Sequence, residues 1–177
     1  MCPARKRNGR TRLTEFVTIG VYGWDAETFF RALQAAGVDT LCDIRRRRGV
    51  RGSAYAFANS QRLQRRLAEL GIAYVHRLDL APSNATRQAQ YAVDAATGTA
   101  KRQRQIISPA FADAYRQECL VRFDSQQFVA DLGANTRVVA LLCVEQEAAA
   151  CHRSLLADKL AHDLNTPVRH LMPDNHA

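Results

Sequence analysis

The chain has 177 residues, 47% hydrophobic and 24% charged, with a formal net charge of +8. That is room for one domain with its own core, and the longest uninterrupted apolar run, residues 138–144, falls far short of the roughly 20 residues a membrane span needs. Collagen, coiled coil, disulfide-stapled mini-protein and membrane protein are therefore excluded, and five Cys, an odd count with no apolar leader before them, point to a reducing, cytoplasmic setting.

Residues 1–13 carry Arg5, Lys6, Arg7, Arg10 and Arg12 and no acid. Lacking periodicity and apolar content, they read as a disordered tail. It is either plainly solvated or a basic arm for a nucleic-acid backbone; a transit peptide is less favoured, because no amphipathic pattern is present. Residues 16–20 read as a first strand, β-branched and closed by Gly20. Asp25 can cap a helix over 26–36, with Phe29, Phe30 and Leu33 on its apolar side and Gly37 as its stop. A second strand follows over 38–44, so the first unit is β-α-β with parallel strands.

Residues 45–59 form an Arg- and Gly-rich loop. Ser60 is expected to cap a helix over 61–70, and a short third strand spans 72–76. Residues 78–106 are polar, with only a weak helical signal near 84–96. Ser108-Pro109 opens a further helix, and Asp124 caps another over 125–132. Residues 137–143 make the most apolar strand, expected at the centre of the sheet because a strand covered on both faces reads as a continuous run. A helix over 149–164 with Leu156, Leu160 and Leu164 on one stripe leads to a last strand over 166–171, and 174–177 is a short tail. The alternation predicts a single α/β domain over 14–173: a three-layer sandwich around a mostly parallel sheet of about five strands.

In such sheets ligands bind outside the carboxyl ends of the strands. Two strand ends carry unusual chemistry. The second strand ends in Asp43-Ile44-Arg45, followed by Arg46, Arg47, Arg48 and Arg51; the central strand ends in Cys143-Val144-Glu145, and the next helix opens with Cys151-His152-Arg153. Arg forks bond phosphate or carboxylate in bidentate fashion, so Arg45, Arg46, Arg48, Arg51 and Arg153 are candidate anion-binding residues. The alternative is a solvated loop. A thiol at a helix start beside an imidazole and a guanidinium has a lowered pKa. Cys151, His152, Asp43 and Glu145 are accordingly candidate catalytic groups, set against a purely structural ion-pair network. His76, at the third strand's end, is a further candidate.

No metal site is expected, because Cys143, Glu145, Cys151 and His152 include no Cys-x-x-Cys pair and no His-x3-His. No cofactor motif is present either: there is no Walker loop, no Gly-x-Gly-x-x-Gly and no Gly-x-Ser-x-Gly. A phosphatase-type Cys-x5-Arg loop fails, since Ala149 and Ala157 stand where Arg would be needed.

Thr18-Ile19-Gly20, Asp43-Ile44-Arg45, Phe57, Tyr74 with His76, Leu141 to Glu145, and Cys151-His152-Arg153-Ser154-Leu155 together resemble the bacterial and archaeal family catalogued as domain of unknown function 488. The resemblance spans roughly 14–173, and its most specific element is the strand ending Cys-x-Glu with Cys-His-Arg a short loop later. Many members carry Leu-Gly-Gly where this chain has Leu78-Asp79-Leu80, and the tract 45–51 is more basic than usual, which marks a divergent, Arg-rich branch. The resemblance implies an α/β fold and a shared strand-end site, and no established reaction. Three functions compete: a protein that binds or acts on a phosphate-bearing or nucleic-acid ligand, a small-molecule enzyme with Cys151 as nucleophile, and a non-catalytic binding module. No membrane partner is expected.

Overall fold

The computed structural model describes residues 14–173; the expected tails 1–13 and 174–177 lie outside the described residues. Five strands form one sheet in which every pairing is parallel: β1 (Glu15–Ile19), β2 (Thr40–Asp43), β3 (Ala73–His76), β4 (Val138–Leu142) and β5 (Val168–Leu171), in the order β3-β2-β4-β1-β5. The sheet is thus wholly, not mostly, parallel. As its apolar run predicts, β4 is central, and Val139 to Leu142 are fully buried.

Successive residues of a strand point to opposite faces, and two cores result. Val17, Ile19, Leu41, Ala140 and Leu142 face α1 (Ala26–Ala35) and α2 (Ser60–Glu69) through Phe29, Leu33, Leu63 and Leu67. Phe16, Cys42, Val139, Leu141 and Cys143 face the other layer: α4 (Pro109–Tyr115), α5 (Ser125–Leu132) and α6 (His152–Leu164), through Phe111, Tyr115, Phe128, Leu156 and Leu160. These are the three layers of an α/β sandwich.

Asp25 caps α1, its carboxylate accepting from Thr28 N at 2.8 Å. Ser108 and Asp124 cap α4 and α5 as expected. Four local expectations are corrected. Residues 45–59 contain a 3₁₀ helix, Ser53–Ala58. Ser60 is the first residue of α2 rather than its cap; Asn59 holds the cap position, and its side chain instead accepts from Val50 N at 2.7 Å, closing the Arg loop. The weak signal near 84–96 is a full helix, α3 (Asn84–Thr97), capped by Ser83 and stopped by left-handed Gly98. Finally, α6 begins at His152, not 149: residues 148–151 form a turn closed by Ala150 N to Glu147 O and Cys151 N to Ala148 O, so Cys151 precedes the helix in extended backbone.

The topology positions the site. Chain leaving β2 goes through α2 to β3, while chain leaving β4 goes through α6 on the opposite face toward β5. The two connections diverge, so a crevice opens between the carboxyl ends of β2 and β4, the switch point where open α/β sheets bind ligands. Among the described residues no helix is long and apolar enough to cross a membrane.

Candidate functional site

Asp43 pairs with Leu142 across the β2–β4 ladder, so the Asp-Ile-Arg and Cys-x-Glu strand ends stand side by side. The crevice above them holds a cavity of about 360 Å³, lined by residues including Arg45, Arg46, Arg47 and Arg51 from the first motif and Cys143, Glu145, Cys151 and His152 from the second. The candidates divide by what they touch.

Asp43 and Arg45 bond to each other. Both are buried, and Arg45 Nε and Nη2 donate to the two carboxylate oxygens at 2.8 and 2.7 Å. Arg45 N and Tyr74 Oη also donate to that carboxylate, and Arg45 Nη1 donates to Ala58 O at 2.9 Å. This pair fastens the start of the Arg loop to its end. His76 Nε2 lies 3.0 Å from Arg45 O, and His76 does not line the cavity. Arg46 donates to the carbonyls of Ala81 and Pro82. Arg48 does not line the cavity; it bonds Tyr74, which raises its pKa, while burial pushes the Tyr74 phenol up to about 12.

Arg153 is fully buried beneath the cavity floor. Its Nη1 and Nη2 donate to the carbonyls of Glu145 and Gln146 at 2.5 and 2.6 Å, and Nε donates to Thr18 Oγ1. It ties the loop after β4 to β1, and its partners are main-chain oxygens rather than Asp43 or Glu145 side chains.

Arg47 and Arg51 differ from all of these. Both are exposed, both line the cavity, and among the described residues neither has a carboxylate within ion-pairing distance.

At the floor, His152 Nδ1 lies 3.7 Å from Cys143 Sγ and 3.9 Å from Cys151 Sγ, and Nε2 lies 3.2 Å from Ile44 O. Cys143 Sγ contacts Glu145 Oε2 at 3.5 Å. Burial pushes the Cys143 thiol well above the ordinary range. For Cys151 burial acts the same way, but the hydrogen bond from Cys143 and the charges of His152 and Arg153 outweigh it and hold the thiol well below that range. His152 is raised: burial opposes its charge, and the Cys151 thiolate beside it prevails. Cys42 and Cys119 are pushed up by burial to about 12 and about 11. Cys143, Cys151 and His152 are also the group among the described residues whose ligand atoms could share a metal ion, all lying within 4.8 Å of one another.

One wall escaped the sequence. Residues 78–106 look like a polar connection, yet they supply Arg87, Gln90, Tyr91, Lys101 and Arg104 to the cavity. Gln90 is buried and accepts from Ser108 N at 2.7 Å. Lys101 and Arg104 reach Glu145 Oε1 at 3.3 and 3.8 Å, and Arg104 is paired with Asp94 as well. Among the described residues, Arg87 bonds only Tyr91 Oη and Asn84 Oδ1. The signal that could have found this wall is a sparse one: Ser83 before the helix and Gly98 after it are cap residues at helical spacing.

No curated protein and no solved structure matches the chain. The family described as Domain of unknown function DUF488 matches residues 25–160, a stretch that runs from the cap of α1 into α6 and takes in both strand ends, and the chain belongs to that family.

Proposed function

We propose that the crevice binds a phosphate-bearing ligand, held by Arg47, Arg51 and Arg87. The observation that supports this is convergence. Arginines from two separate segments line one cavity, and among the described residues none of the three is matched by a carboxylate. Guanidinium forks left without an acid suit the multiple oxygens of a phosphate. A cavity of about 360 Å³ lies at the small end of ligand pockets, so it takes a phosphorylated small molecule or a single nucleotide of a nucleic acid, not a duplex. Arg45, Arg46 and Arg153 serve as the frame: their donors already hold Asp43 and main-chain carbonyls.

A second reading gives the same crevice chemistry, with Cys151 as nucleophile. It is favoured by position, because the thiol lines the cavity beside His152.

The test is binding of a fluorescent nucleoside triphosphate to the full chain. The double substitution Arg47→Ala, Arg51→Ala should weaken it about tenfold or more, since each charge-assisted bond contributes about 1.5–3 kcal/mol. Rising salt should weaken wild-type binding as well. Affinity that ignores both the substitution and the salt overturns the proposal. A probe left covalently on Cys151, and lost in Cys151→Ser, supports the second reading.

A further inference from the structure

We propose that Cys143, Cys151 and His152 form a binding site for a thiophilic divalent cation, zinc being the one their chemistry suits best. The proposal is independent of phosphate binding, because it rests on different side chains.

The geometry carries it. A zinc ion with Zn–S about 2.3 Å and Zn–N or Zn–O about 2.0–2.1 Å in a tetrahedron has ligand atoms about 3.4–3.8 Å apart. The corresponding separations are 3.7 Å from Cys143 Sγ to His152 Nδ1 and 3.9 Å from Cys151 Sγ to His152 Nδ1. Both sulfurs and the nitrogen lie within 4.8 Å of one another. A cation at their centre needs movements of a few tenths of an ångström for the two measured edges.

A second observation is the set-up of the imidazole. Ligating His side chains almost always give their other ring nitrogen to a carbonyl or carboxylate. Here Nε2 meets Ile44 O at 3.2 Å, which fixes the donor on Nε2 and turns Nδ1 toward the sulfurs. The Tyr115 ring packs against the imidazole at 5.1 Å and limits its rotation.

The environment is also right for a soft cation. All three residues are buried. Two thiolates balance the charge of a dication, and Glu145, 3.5 Å from Cys143 Sγ through Oε2, is met at Oε1 by Lys101 and Arg104. The ligand spacing, Cys-x7-Cys-His, matches no zinc knuckle. The ligands meet because the end of β4 and the start of α6 are brought back onto each other by the turn at 144–151 and the Arg153 tie.

The experiment uses the full chain, reduced and freed of metal with a chelator, then titrated with Co²⁺ as a spectroscopic probe and with Zn²⁺. One equivalent of Co²⁺ per chain should give thiolate-to-cobalt absorption, and Zn²⁺ should displace it. Cys143→Ser or Cys151→Ser should weaken uptake by at least the about 10–100-fold that loss of an outer partner costs. Because either variant could fold poorly, a second measurement uses wild type alone. Zn²⁺ should protect Cys143 and Cys151 from alkylation and leave Cys42 and Cys119 unchanged. Absence of a thiolate–cobalt band, uptake that persists in the double Cys variant, or rapid alkylation of Cys151 that is equal with and without Zn²⁺ would each overturn the site. None of these outcomes bears on nucleoside triphosphate binding by Arg47 and Arg51.

Discussion

Asp43→Ala is expected to cost about 3–5 kcal/mol of stability, the usual penalty for removing one partner of a buried ion pair. In a chain of this size that is a fall in Tm on the order of 10 °C. Arg45 would be left with a side chain only 1% exposed, its charge unmatched and three of its donors, Nε, Nη2 and the main-chain N, without acceptors. Tyr74 would lose its acceptor too. The loss should spread to the Arg loop, since the same guanidinium holds Ala58 O. Replacing both partners together, Asp43→Ala with Arg45→Met, should recover much of the stability, because the uncompensated charge is then gone. Thermal and denaturant melts read both variants. A cost below about 1 kcal/mol for Asp43→Ala would place the pair among solvent-exposed bridges and contradict its role as the loop's anchor.

Gly20→Ala is the second large effect. A Cβ there would stand 1.8 Å from Glu145 O and 2.7 Å from Glu145 C, both backbone atoms. The loop after β4 cannot yield easily. Val21 N and Tyr22 N both donate to Val144 O at 3.0 Å, and Arg153 holds the next two carbonyls from below. Overpacking of this kind costs about 1–3 kcal/mol. It should also displace Glu145, and with it the Lys101 contact at the cavity wall. Gly49→Ala is the control: its nearest neighbour is Asn59 Oδ1 at 3.9 Å, so the change should stay within about 0.5 kcal/mol. Equal, small effects of the two substitutions would show that the 144–146 loop is free to move.

The sequence made much of the frame legible because burial writes itself into apolar pattern. The run at 138–144 marked the central strand, and cap residues Asp25, Ser108 and Asp124 marked three helix starts. Helix α3 left little trace because it is buried through Thr86 and Gln90, polar residues that make no apolar stripe. With it the Arg87–Arg104 wall stayed hidden. The division of the arginines could not be read either. Arg45 and Arg153 match Arg47 and Arg51 in type, and only the approach of Asp43 or of the Glu145 and Gln146 carbonyls separates a tie from a free fork. The start of α6 moved from 149 to 152 because the turn at 148–151 is built from Ala residues that fit a helix equally well by propensity. The Cys143–Cys151–His152 cluster depends on a strand end meeting a helix start, which no local spacing encodes.

The most direct test of the phosphate-binding crevice is a crystal structure of the full chain soaked with pyrophosphate, compared with one grown without it. The expected result is pyrophosphate in the crevice between β2 and β4, its oxygens within about 2.7–2.9 Å of guanidinium nitrogens from Arg47, Arg51 or Arg87. Pyrophosphate bound at saturating concentration only on surface arginines outside the crevice, with the crevice unchanged between the two crystals, would contradict the account.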